Sequence, residues 1–100
     1  MGSIRGQQVR EVRRFYNAPA PQTITTGAST ATSAAAFGTA EVLFTTTTDC
    51  FFEVKETPTA STADHFMPAG ASWPVLVKPE DKVAVISPGG AGKFYISAIG

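Results

Sequence analysis

The chain has 100 residues, 43% apolar and 16% charged, with formal charges that cancel at neutral pH. That length supports one thin domain, and its single cysteine, Cys50, excludes an intrachain disulfide and a cysteine-based zinc site. No apolar run approaches the roughly 20 residues of a membrane helix, and Arg5, Arg10, Arg13 and Arg14 interrupt the apolar residues a secretory signal would need.

Charge is unevenly spread. Residues 1–40 carry four Arg against Glu11, whereas residues 41–100 carry four Lys against seven acidic residues. A basic front and an acidic body can attract each other between neighbouring copies. A lone thiol fits a protein made in reducing cytoplasm.

In chain order, residues 4–16 admit two readings. Val9, Val12 and Tyr16 stand at helical spacing, while Val9, Glu11, Arg13 and Phe15 alternate with their neighbours as in a strand. Pro19 and Pro21 end any helix, and Pro19-Ala20-Pro21 predicts an extended, polyproline-like path. Residues 17–40 are rich in Ala, Thr, Ser, Pro and Gly. Such a stretch buries little apolar area and does not offset its own ordering entropy. It therefore predicts an arm, residues 1–40, that a neighbouring subunit must hold.

From Gln22 onward the signals are those of β structure. Gln22–Thr26 is a short Thr/Ile strand, and Val42-Leu43-Phe44 leads into four threonines. Asp49 marks a turn before Cys50–Lys55, in which Phe52 and Val54 share one face and Phe51, Glu53 and Lys55 the other. After a polar loop, His65–Met67 is stopped by Pro68-Ala69-Gly70. Ser72–Val77 places Trp73, Val75 and Val77 on one side, and Pro74 predicts an edge strand there. Lys82–Ser87 reads as buried on both faces, followed by a Gly-rich hairpin loop and a strand from Lys93 to Ile99. Short strands with turns every 8 to 12 residues predict an all-β fold. The expected architecture is a small antiparallel β-sandwich or barrel over residues 41–100, with an extended N-terminal arm.

The chemistry-bearing residues are sparse. The stretch Ser87–Lys93 lacks the first Gly of a phosphate loop and the hydroxyl after its Lys, and a strand follows where a helix is needed. Cys50, flanked by Phe51 and Phe52, reads as a small buried hydrophobe. His65 is the only histidine, and Asp64 beside it points to the opposite face of a strand. No cofactor, metal site or enzymatic activity is expected. Nucleic-acid binding would rest on four arginines, Phe15 and Tyr16 beside an acidic body, so docking on protein is the preferred reading.

From Thr45 on, the order Thr-Thr-Asp-Cys-Phe-Phe, Pro-Thr-Ala-Ser-Thr-Ala, Phe-Met-Pro-Ala-Gly, Val-Leu-Val-Lys-Pro-Glu-Asp-Lys-Val-Ala-Val-Ile and Gly-Lys-Phe-Tyr-Ile resembles small virion proteins of tailed bacteriophages. The resemblance implies a capsid decoration (cement), head-fibre-base or neck subunit that binds a shell lattice without catalysis. It carries over no contact residue.

Together these readings give a non-enzymatic decoration subunit of the virion, assembled in the host cytoplasm and bound to the major capsid protein. A homo-oligomer is expected, with a trimer favoured by analogy with shell symmetry axes. The arm would add a strand to a neighbour's sheet edge, with Phe15, Tyr16, Ile24 and Phe37 in apolar pockets and Arg10, Arg13 and Arg14 at their rims. Deleting residues 1–40 would then leave a folded body unable to attach. Two alternatives stay open: a head–tail connector or tail ring component, and a glycan-binding module using Trp73 and Tyr95.

Overall fold

A computed structural model describes residues 13–100. These residues form an all-β, antiparallel sandwich with no helix among them. The strands are β1 (Phe15–Tyr16), β2 (Gln22–Thr26), β3 (Ala31–Thr32), β4 (Glu41–Thr46), β5 (Cys50–Lys55), β6 (His65–Met67), β7 (Ser72–Leu76), β8 (Lys82–Ile86) and β9 (Gly92–Ile99). One sheet runs β1-β9-β4-β7, with β2 also on β9; the other runs β3-β8-β5-β6.

Strands β4, β5, β8 and β9 follow the hydrophobic pattern closely, whereas the edge strand β7 leaves four of its five residues exposed, Leu76 at 81%. In β5 the inward residues are Cys50, Phe52 and Val54; in β9 they are Phe94, Ile96 and Ala98. Phe44 on β4 is the hub of the core. Its ring lies 5.0 Å from Phe94, 5.5 Å from Phe52 and 5.9 Å from Phe37, in tilted or edge-on arrangements. Val83, Ala84 and Val85 are all fully buried, so β8 is covered on both faces as its apolar run predicts. Buried Pro58 and Ala60 belong to the loop after β5, which is pinned by Thr59 N–H donating to Glu53 Oε1 (2.9 Å) and Ala60 N–H donating to Thr30 Oγ1 (3.0 Å).

Residues 22–37, expected to belong to the arm, are built into both of the chain's own sheets. β2 pairs with β9 from Gln22↔Ile96 to Thr26↔Gly92. The chain then crosses to the other sheet and runs along β8. Ser87 N–H donates to Gly27 O (2.7 Å), Ser33 N–H to Val83 O (2.9 Å), Phe37 N–H to Asp81 O (2.9 Å) and Gly38 N–H to Pro79 O (2.8 Å). The physical reason is that sparse apolar residues suffice when much of the main chain is paired with the flanking strands. Ile24 and Phe37 enter the core at 4% and 2% exposure, while small Ala, Thr and Ser side chains let the strand lie close to its neighbour. Strand addition is thus the mode the segment uses, with its own sandwich as recipient.

Two smaller expectations also change. Asn17–Pro19 forms a bend with a cis Ala18–Pro19 peptide in place of an extended path. The Gly-rich loop after β8 does not close a hairpin, because β8 and β9 lie in different sheets and the loop carries the chain between them. The same is true of the β4–β5 and β6–β7 connections. Only β5–β6 and β1–β2 link strands within one sheet, and of these only β5 and β6 pair with each other. The helical reading of residues 4–16 falls largely outside the described residues; Phe15 and Tyr16 are strand.

Candidate functional site

The sandwich closes on one side, where β2 and β3 are joined by a short crossing loop, and opens on the other, where the edge strands β6 and β7 face each other. In the opening lies a groove of about 700 Å³, lined by Phe52, Val54 and Val75 at its base and by Glu53, Asp64, His65, Phe66, Trp73 and Leu76 around it. This is within the size range of small-ligand sites.

Both edges are short of strand-pairing capacity. Val77 N–H donates to Ala40 O and Thr46 N–H to Ala71 O, which fixes the alternation along the β4–β7 pair. Phe44↔Trp73 and Val42↔Val75 are then the hydrogen-bonded pairs, and Ser72, Pro74 and Leu76 direct their main-chain groups to the open edge. Proline sits at a position where its missing N–H faces outward, as tolerated on an edge. Across the groove, β6 covers β5 only from Cys50 to Phe52. The same alternation on the β5–β8 side, set by Ser33 N–H on Val83 O, turns the N–H and C=O of Val54 toward the groove.

The side chains supply aromatic surface at the base and charge at the rim. Trp73 lies opposite Phe44 in the register and therefore points inward. Its ring stands 6.3 Å from Phe52 at 65°, and it remains 38% exposed. His65, opposite Phe52, lies with its ring 5.4 Å from that phenyl, and its nitrogens have no hydrogen-bond partner among the described residues. Asp64 Oδ2 accepts from Ser61 N–H (2.7 Å) and from the Ser61 hydroxyl (3.3 Å), which fixes the carboxylate and uses only one of its oxygens. Glu53 Oε2 lies 3.6 Å from Lys55 Nζ.

The expected contact residues scatter. Arg10 lies outside the described residues. Arg13 and Arg14 are exposed, and the Arg14 main chain exchanges two hydrogen bonds with Gly100 (3.0 and 2.9 Å). Phe15 and Tyr16 are 59% and 42% exposed on β1, whereas Ile24 and Phe37 are core residues and unavailable to a partner in this fold. Trp73 and Tyr95 do not form one surface. Tyr95 pairs with Thr45, which in turn faces Ser72, so Tyr95 belongs to the outer face and Trp73 to the inner. The groove residues Asp64, His65 and Phe66 were not singled out together by sequence; the available signal was two successive short strands around a Pro-Ala-Gly turn, both at sheet edges. Among the described residues no three metal-ligating side chains cluster, and no helix is long and apolar enough to cross a membrane.

Comparison with protein-family models, with curated proteins and with solved structures gives no match.

Proposed function

We propose that the chain is a non-enzymatic structural subunit of a virion, a capsid decoration or cement protein seated on the major capsid lattice through its N-terminal end. The observation that carries this reading is the exposure of Phe15 and Tyr16, 59% and 42%, on a two-residue strand at the margin of the first sheet. Large aromatics left uncovered beside a basic stretch are characteristic anchors for a protein partner. The resemblance from Thr45 onward supports the same assignment.

The attaching segment is shorter than the whole first forty residues. Residues 22–37 serve the sandwich itself, which leaves the basic stretch up to Tyr16 for the capsid contact. In this reading Arg13 and Arg14, with Arg10 outside the described residues, supply the polar rim of that contact, and a homo-oligomer places several such ends on one lattice site.

Co-sedimentation with capsid shells lacking the protein tests the proposal. The double variant Phe15→Ala/Tyr16→Ala should keep the wild-type circular dichroism and lose attachment. Undiminished attachment of a folded double variant overturns it.

A further inference from the structure

We infer that the open-edge groove is a binding site for a neutral carbohydrate, with Trp73 as the stacking platform. This inference is independent of the capsid role, since it uses none of the residues assigned to it.

Three observations carry it. The first is the combination of surfaces. A pyranose presents an apolar C–H face and a ring of hydroxyls, and the groove pairs a partly exposed indole with polar groups around it. Trp73 is held edge-on against Phe52, so its orientation is set before a ligand arrives. The Asp64 carboxylate, already fixed by Ser61, has an oxygen left to accept from a hydroxyl. The His65 ring nitrogens and the Val54 main-chain groups add one donor and acceptor set each.

The second observation concerns a competing occupant, an extended peptide. Strand addition needs a run of free main-chain donors and acceptors. Pro74 removes the central donor of the β7 edge, and β6 leaves little more than Val54 open on β5. A peptide would therefore gain few main-chain bonds here, while a sugar needs none in series.

The third is charge. Glu53 is neutralised by Lys55 at 3.6 Å and accepts from Thr59 N–H, so the groove charge with no cation beside it among the described residues is the Asp64 carboxylate. The site therefore favours neutral hexoses or N-acetylhexosamines over sialylated or sulfated sugars.

Trp73 is the only tryptophan of the chain, so its emission reports directly on the groove. The full chain is titrated with methyl glycosides of neutral hexoses, N-acetylglucosamine oligomers, a sialyllactose and an extended apolar peptide, followed by tryptophan emission and amide chemical shifts. A neutral sugar should shift the emission and move amides of Val54, His65 and Trp73, leaving those of Thr23 and Tyr95 in place. By calorimetry Trp73→Ala should weaken that sugar by roughly tenfold or more, Asp64→Asn severalfold, and Tyr95→Ala by less than twofold. Asp64→Asn retains the acceptor for Ser61 and guards against a result due only to misfolding. The inference is overturned if no sugar gives saturable shifts, if the shifts fall on the Tyr95 face, or if the peptide or the sialylated sugar binds more tightly than every neutral one.

Discussion

Gln22 and Ala35 grip each other through two hydrogen bonds: Gln22 Nε2 donates to the Ala35 carbonyl (3.1 Å), and Ala35 N–H donates to Gln22 Oε1 (3.0 Å). One side chain thereby acts as a rung between β2, paired on β9, and the segment that runs along β8, thirteen residues later in the chain. It ties the two sheets together at their closed side and positions Phe37 to enter the core two residues on. Replacing Gln22 by Ala removes both bonds at an exposed site where water can substitute, so about 1 kcal/mol of stability should be lost. Hydrogen exchange should quicken at Ala35 and Phe37 more than at Val83. Uniform acceleration across all strands would show that the rung has no local role.

Removal of residues 1–40 should unfold the protein rather than release a stable body. The deletion takes away β1, β2 and β3, the cover over one edge of β9 and of β8, and the buried side chains Ile24 and Phe37. Phe37→Ala alone should cost about 3–5 kcal/mol, a large share of the stability expected of a domain this small. Circular dichroism and urea titration of the truncated chain decide the matter; a cooperative transition near the wild-type midpoint would contradict the assignment of this segment to the core.

The hydrophobic pattern made the later strands legible. Cys50–Lys55 and His65–Met67 match their expected bounds, and Pro74 marked an edge because its missing donor leaves few other places for it. Gln22–Thr26 also matches its expected bounds, but its pairing with the chain's own β9, and the course of the segment that follows it, differ from the expected arm for a physical reason. Its composition measures how much apolar area it can bury, yet its stability here comes from main-chain pairing on both sheets with only two large anchors. That pairing is long-range, and nothing local in Ala-Ser-Thr-Ala-Thr-Ser announces it. The groove was equally hidden. Trp73 and Tyr95 both looked like candidates, but the face each occupies depends on register, and the alternation of β7 and β9 sends them to opposite sides.

Gly92 should not tolerate a side chain. A Cβ at that position would stand 2.5 Å from Thr48 Cγ2, 2.7 Å from Thr48 Oγ1 and 2.8 Å from Thr47 Oγ1. Those threonines cannot simply swing away. Thr48 Oγ1 is hydrogen bonded to Ser87 Oγ at 2.7 Å, and Thr47 Oγ1 accepts from Lys93 N–H at 2.9 Å. Gly92→Ala should therefore destabilise by about 1–3 kcal/mol, the usual range for overpacking. The control is Gly89→Ala, where nothing lies within 4 Å of the added carbon and the effect should be small. Equal melting temperatures for the two variants would refute the close approach.

Cys50 should behave as a shielded thiol whose protonation is linked to folding. It is fully buried at the start of β5. Burial raises its pKa; Thr46 Oγ1, 3.6 Å from the sulfur, partly opposes that rise, and the nearby Asp49 adds to it. Because the folded pKa lies above the unfolded one, the folded state holds the proton more tightly as pH increases. The contribution is complete below the ordinary thiol pKa and is lost as pH rises through the unfolded and toward the folded value, at most about 1.4 kcal/mol per pH unit. Comparison with Cys50→Ala isolates this effect from the titration of lysines and tyrosines. In the alkaline range the stability of the wild type should fall more steeply than that of the variant, and a disulfide reagent should label the native thiol slowly at neutral pH and rapidly in denaturant. Parallel alkaline profiles, or rapid labelling of the native chain, would contradict the buried placement of the sulfur.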